Sequence, residues 1–281
     1  FRKHPQWGSR DRRFVAESVY ECVRWHRFFA EIAICLEDDS LFFEKLLFVY
    51  LVQNQIAIPK WYAETGLETE KINLRLTDHS FPRKICESVP DWLDELALEE
   101  LGEERWSNEL HALNNPAQVV LRANTLKTTV ANLKTKLEEE QVETAFISYF
   151  PDALTLTKRT NLRNHDYYKK GFFEIQDAGS QAIAPFLQAE PGMYVIDACA
   201  GGGGKTLHLA ALMQNKGHIV ALDVEEKKLT NLETRAKRAD ATIVESCLIS
   251  DASIARLYQK ADRLLLDVPC TGLGVLKRNP D

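Results

Sequence analysis

Between Ser9 and Phe28 the apolar residues Val15, Val19, Cys22, Val23 and Phe28 recur at close to the spacing of one helix face. Ser9 supplies a hydroxyl suited to an N-cap. The same period predicts a helix over 41–53, capped by Ser40 and ending before Pro59, and further helices over 91–102 and 103–113. Residues 1–114 therefore read as a helical region whose periodicity is that of a packed core. The period changes after that. "AQVVLRAN" (117–124) is strand-like, and Thr128 or Thr129 caps an amphipathic helix running to Glu140. "ETAFISYF" and "ALTLTK" alternate as two strands about a turn at Pro151-Asp152. Residues 115–170 thus predict a small α+β domain, closed by the basic segment "KRTNLRNHDYYKK" (158–170). A small sheet beside cations and tyrosines suits an RNA platform. A connecting subdomain with a solvated face is the plainer reading.

From 171 the rhythm is long apolar strand, glycine turn, helix, strand. "MYVIDACA", "HIVALDV", "ATIVES" and "RLLLDVPC" are the strands, and "KTLHLAALMQN", "EEKKLTNLETRAKRA" and "ASIARLYQKA" the helices. Such alternation means a parallel sheet with helices on both faces, an α/β Rossmann-like domain over 171–281. Ligands of these sheets bind beyond the carboxyl ends of the strands.

Composition adds bounds. The 281 residues are 45% hydrophobic and 27% charged, an ordinary globular balance. A net charge of −6 argues against a protein coated in nucleic acid, though the basic segment at 158–170 and "FRKHPQWGSRDRR" at the start leave room for local basic faces. The six cysteines form no C-x-x-C pair and sit near no histidine at zinc-ligand spacing, so no metal site is expected. Scattered cysteines in a chain of this length suit a reducing, cytoplasmic setting. The longest apolar run, "LLFVYLV" (46–52), is too short to span a bilayer, and the start, on Phe1, carries no signal peptide. A monomer without membrane contact is expected.

The chemistry concentrates at "VIDACAGGGGKT" (195–206). The terminal Lys-Thr suggests a phosphate-binding P-loop. That motif needs a glycine where Cys199 stands, so a nucleotide hydrolase is disfavoured. The alternative is a turn passing close to an adenosine cofactor. Asp197, Gly201 and Gly203 have the spacing for it, and Asp223 ends the next strand, where a carboxylate can take ribose hydroxyls. This pattern fits nicotinamide dinucleotides and S-adenosylmethionine alike. Asp251 follows the third strand and can accept the adenine amino group or cap its helix. Asp267 and Cys270, in "LLLDVPCTGLGVLKRNPD", then bring a carboxylate and a thiol to one strand end. Hydride transfer has no use for that thiol. Methylation of cytosine does, because carbon 5 becomes nucleophilic only after a thiolate adds at carbon 6, and a carboxylate can hold the ring as charge builds.

These segments resemble successive motifs of the Sun-type (Fmu-type) RNA cytosine-5 methyltransferases. "DACAGGGGKT", "ALDVEEKKL", "SDAS" and "DVPCTGLGVLKRNPD" carry the likeness in the catalytic domain, and "GFFEIQDAGSQAIAPFL" leads into it. "PAQVVLRANTLK" is similar to the start of the family's small RNA-binding domain, and "GSRDRRFVAESVYECVRW" to the helical extension of its bacterial ribosomal-RNA members. The resemblance implies that Cys199, Ala200, Gly201, Gly202, Gly203, Gly204 and Lys205 cradle the methionine part of S-adenosylmethionine. It implies that Asp223 takes the ribose, Asp251 the adenine, and that Asp267 sits between cofactor and base. Cys270 matches the family cysteine that assists breakdown of the covalent adduct. Where Gly201 and Gly202 stand, the family usually has alanine and proline. The family's attacking cysteine comes from a Thr-Cys motif on a later strand, whereas this sequence ends at Asp281. The expectation is a cofactor-binding chain truncated before its nucleophile motif and inactive alone. Cys270 as the attacking thiol is the alternative chemistry, and a non-catalytic RNA-binding scaffold the alternative function. The RNA partner implied is ribosomal.

Overall fold

In the computed structural model, residues 4, 6–78 and 80–280 are described. One compact unit comprises Phe1–Ala117 and Thr271–Asp281, the other Gln118–Cys270.

The first unit is built from helices Ser9–Arg24, His26–Ala33, Phe42–Gln53, Thr69–Leu76, Asp91–Leu101 and Glu103–Asn114, with shorter turns between them. Phe29, Ile32, Leu46, Val49 and Tyr62 are its most buried side chains, whereas of the first helix's periodic apolar residues Val19 and Val23 are exposed and Val15 and Cys22 only partly buried. Two expected caps are corrected. Ser9 is the first helical residue and Gly8 the N-cap, with Asp11 accepting from the Gly8 N–H at 2.9 Å. Leu41 rather than Ser40 precedes Phe42–Gln53, which has no side-chain cap; Asp39 accepts from the Leu41 N–H at 2.8 Å in the turn leading into it. The segment after Cys270 packs on this unit. Leu273 and Leu276 lie against Val89, Leu93, Trp106 and Leu110. The buried Arg24 donates to the carbonyls of Leu276 (3.2 Å), Lys277 (2.7 Å) and Leu113 (3.1 Å).

The second unit holds two sheets. Strands β1 (Val120–Ala123), β2 (Thr144–Ile147), β3 (Phe150–Leu156) and β4 (Phe173–Ile175) form an antiparallel sheet in the order β2-β3-β1-β4. Thr129 caps the helix Val130–Glu139 by accepting from the Asn132 N–H at 3.2 Å. The expected turn at Pro151-Asp152 is corrected: both residues lie inside β3, and the chain reverses at Ser148-Tyr149, where Tyr149 takes φ 69°. Pro151 and Asp152 have turn chemistry, but the buried Ala153 and Leu154 fix the register of β3 against β1.

Strands β5 (Tyr194–Asp197), β6 (His218–Asp223), β7 (Val244–Leu248) and β8 (Arg263–Leu265) form a parallel sheet in the order β7-β6-β5-β8. Val195, Ile219 and Leu265 pack with Leu207, Leu209 and Ala210 of the helix Gly204–Leu212 and with Ala236 and Ala239 of the helix Glu226–Ala239. Ile196, Val220 and Leu222 alternate with them and meet Leu257 of the helix Asp251–Leu257. Helices therefore cover both faces, which is why these strands read as continuous apolar runs. Fold and strand order are those of a Rossmann-like α/β domain. β8 stops at Leu265, short of the expected "RLLLDVPC", because its pairing with β5 ends at Asp197↔Leu265.

Candidate functional site

The glycine loop leaves β5 at Asp197 and enters the helix Gly204–Leu212. Its two ends are tied down first. The Ala200 N–H donates to the Leu222 carbonyl at 2.8 Å, and the Gly203 N–H to the Ala200 carbonyl at 2.9 Å. Gly201 (φ 54°) and Gly203 (φ 85°) make the bend. At Gly203 only glycine fits, since a Cβ would lie 2.8 Å from Leu232 Cγ. At Gly201 a Cβ would meet nothing within 4 Å, so the chain passes along open space there.

Asp223, at the end of β6, is part of this loop rather than a separate acid. Its Oδ2 accepts from the Gly201 N–H at 3.0 Å and its Oδ1 from the Glu225 N–H at 2.9 Å. Lys228 Nζ lies 3.9 Å from Oδ1, with its own affinity for a proton raised chiefly by a hydrogen bond to Glu225. A carboxylate offers about four lone-pair directions, so these contacts leave acceptor capacity.

Asp197 lies beneath the loop, 1% exposed, with Oδ2 accepting from Thr206 Oγ1 at 2.7 Å. Burial pushes its carboxyl upward, and the Thr206 hydroxyl and Cys199 backbone offset that only in part. At the other edge Lys205 forms an ion pair with Asp267, joining the loop to the carboxyl end of β8. Cys270 is exposed three residues further on. Asp251 is exposed at the first turn of its helix; the capping role belongs to Ser250, whose Oγ accepts from the Ser253 N–H at 3.1 Å. The alternative reading of Asp251 as a cap is thereby removed. Cys199 is partly buried in the loop, and Cys247 packs at the end of β7. Burial pushes the thiols of Cys22 (to about 12), Cys35 and Cys86 up, which disables them as nucleophiles.

Several polar residues escaped the sequence reading. Asn124 Nδ2 donates to the carbonyls of Gly171 and Ala239, both at 2.8 Å, and Lys127 Nζ to those of Lys170 and Arg238, also at 2.8 Å. They cap the helix Glu226–Ala239, where a cation and an amide donor satisfy its last carbonyls. Gly171 (φ 74°) permits the approach, because a Cβ there would lie 2.0 Å from the Arg238 carbonyl oxygen. Much of "RANTLK" therefore fastens the small sheet to the parallel sheet. Tyr168 of the basic segment also faces inward, its ring 4.2 Å from the Arg238 guanidinium, while Lys158, Arg159 and Arg163 are exposed. The signal available in the sequence was the charge and amide within an otherwise apolar strand.

Among the described residues there is no group of three or more His, Cys, Asp and Glu placed to hold a metal ion, and no helix long and apolar enough to cross a membrane.

The family model of 16S rRNA methyltransferase RsmB/F matches residues 184–281, and that of the RsmF/B-like ferredoxin-like domain matches residues 89–163. At family level the chain matches the RsmB/F-type ribosomal RNA methyltransferases. A probable ribosomal RNA small subunit methyltransferase B from Synechocystis sp. is 33% identical over 197 residues, which cover 69% of this chain and 44% of that protein. Ribosomal RNA small subunit methyltransferase B from Vibrio cholerae is 30% identical over 217 residues, 76% of this chain and 48% of that protein. The chain thus spans about half the length of the curated relatives it matches. The crystal structure of PH0851 matches all of this chain with a TM-score of 0.77 at 25% identity, over 70% of its own length. The fold is that of an S-adenosylmethionine-dependent methyltransferase.

Proposed function

We propose that the protein methylates carbon 5 of a cytosine in ribosomal RNA, taking the methyl group from S-adenosylmethionine bound at the glycine loop. The observation that carries the reading is the convergence of Gly201, Asp223, Lys205 and Asp267 on the strand ends, in a chain that matches the RsmB/F family. The residues fit the cofactor. The Gly201 backbone borders open space, and Asp223 is fixed beside it with lone pairs to spare for ribose hydroxyls. Residues 199–205 would hold the methionine part, and Asp251, exposed beyond β7, the adenine. When bound, the cofactor supplies an electrophilic methyl group on sulfur.

Residues of this chain orient the base and act in its release, while the attacking thiol is the one the family resemblance places on a Thr-Cys motif outside residues 1–281. Asp267 accepts from the ring amino group of the base, and its ion pair with Lys205 orients it until the base arrives. A thiolate adds to carbon 6 so that carbon 5 can attack the methyl group, a base removes the carbon 5 proton, and elimination of the thiolate restores the ring. Cys270 acts in that breakdown step. The target base leaves its stack to reach the cleft. RNA is held by the exposed cations of 158–170.

The test is transfer of labelled methyl groups from S-adenosylmethionine to 16S ribosomal RNA by the full-length protein, with nucleosides resolved after digestion. Label in 5-methylcytidine supports the reading. RNA binding without label supports a non-catalytic scaffold. In the active protein Cys270→Ser is expected to accumulate a covalent RNA adduct on a denaturing gel; loss of activity with no adduct makes Cys270 the attacking thiol instead.

A further inference from the structure

Behind the glycine loop lies a buried charge cluster that the reaction does not use directly. Arg122 of β1 and Glu174 of β4 are cross-strand partners in the small sheet, each only 2% exposed. Glu174 Oε2 accepts from Arg235 Nη2 at 2.8 Å, and Oε1 from Arg238. Arg235 and Arg238 belong to the helix Glu226–Ala239 of the parallel-sheet half. Two guanidiniums thus hold one carboxylate, with Arg122 as its cross-strand neighbour, an expensive arrangement to bury. Burial brings Arg122 down to about 10, with Glu174 opposing the shift.

The cluster ends on the glycine loop at two places. Arg235 Nη1 donates to the Gly202 carbonyl. Arg122 Nη1 donates to the Gly204 carbonyl at 2.7 Å and also to Gln176. These carbonyls flank Gly203, the residue whose positive φ makes the bend. In a planar trans peptide the C=O of one residue and the N–H of the next point in opposite directions. Holding the Gly202 and Gly204 carbonyls therefore aims the N–H groups of Gly203 and Lys205.

We propose that Glu174 and Arg122, on the small sheet, are positioning residues for the adenosine cofactor: Arg122 directly, and Glu174 through Arg235, fix the peptide planes of the loop that holds it. A network serving only to join the two sheets could end on the last turn of the helix Glu226–Ala239, as Asn124 and Lys127 do. This one continues into the loop. It follows that the small sheet takes part in cofactor binding without touching the cofactor. The inference rests on the functional reading above.

The experiment is titration of S-adenosylmethionine and S-adenosylhomocysteine into the wild-type chain, Glu174→Gln, Arg122→Lys and Lys127→Met, well below each unfolding midpoint. Lys127→Met loosens the same junction without reaching the loop. Glu174→Gln and Arg122→Lys are expected to bind both ligands about tenfold more weakly, the size of one lost charged hydrogen bond. Lys127→Met is expected to stay within about twofold of wild type. In nitrogen-15 amide spectra, the Gly203 and Lys205 resonances should move in the first two variants and not in the third. If one of the two variants fails to fold, the other carries the comparison. Wild-type affinity in the loop-reaching variants, or equal weakening in all three, overturns the inference alone. A folded wild-type chain that binds neither ligand overturns the functional reading, and this inference with it.

Discussion

At the scale of single residues, Asp223 is bonded to the Gly201 N–H of the glycine loop, besides standing at the strand end where a ribose-binding acid is proposed. Its place at the end of a strand, a turn-helix-strand unit after the glycines, was legible in the sequence and is what suggests a ribose-binding acid. Its bond to the Gly201 N–H was not legible, because it depends on where a bend of four glycines brings one amide. Asp223→Ala is therefore expected to weaken S-adenosylmethionine binding by about 1–3 kcal/mol, through the lost acceptor and the loosened loop together. Calorimetric titration measures it, and unchanged affinity would place the ribose elsewhere. His208 offers an independent test. It is 4% exposed, its Nδ1 lacks a partner, and burial with the nearby Arg122 brings it down to about 3. Between that value and its ordinary pKa near 6.5, the unfolded chain binds a proton that the folded chain refuses. Stability contributed by neutral His208 is thus present above about pH 6.5 and lost as the pH falls toward 3. His208→Leu should flatten this acid limb relative to wild type in denaturant titrations from pH 7 to about pH 4. Parallel profiles for the two proteins would contradict the assignment.

At the scale of elements, the helices and parallel strands were legible because burial on one face, or on both, writes a period into the sequence. What the period could not carry was where pairing stops. β8 ends at Leu265 since β5 offers it no partner beyond Asp197, and Asp267 therefore stands in a loop rather than at the last strand residue. The Pro151-Asp152 turn failed for a related reason: local turn chemistry lost to the packing of Ala153 and Leu154. Among the four loop glycines, conformational need falls most heavily on Gly203. Gly203→Ala combines a left-handed backbone with a clash against Leu232, and is expected to cost about 1–3 kcal/mol in stability and to weaken cofactor binding. Thermal unfolding measures the first effect; a variant as stable as wild type would show that the loop relaxes freely. Arg24 does similar work in the helical unit, holding the Leu276 and Lys277 carbonyls. Arg24→Ala should expose the segment after Cys270 to limited proteolysis, with a new cut between 271 and 280. An unchanged fragment pattern would mean that Leu273 and Leu276 suffice to hold it.

At the scale of the whole molecule, the two sheets of the second unit are tied by residues that read as neither core nor catalytic: Arg122, Asn124, Lys127, Gly171 and Glu174. Polar groups of this kind leave no periodic trace, because their partners are carbonyls and carboxylates brought close only by folding. They explain why a segment resembling the opening of an RNA-binding domain spends so many of its polar side chains on the junction with the parallel sheet. Lys158, Arg159 and Arg163 stay exposed outside this junction, in a chain whose overall charge is −6, and are the cations that the proposed RNA contact would use.

The most direct test is calorimetric titration of the folded chain with S-adenosylmethionine, repeated in the presence of excess ATP and magnesium. The account expects saturable binding at one site, unaffected by the triphosphate. An intact fold that takes up no S-adenosylmethionine, or that releases it to ATP, would contradict it.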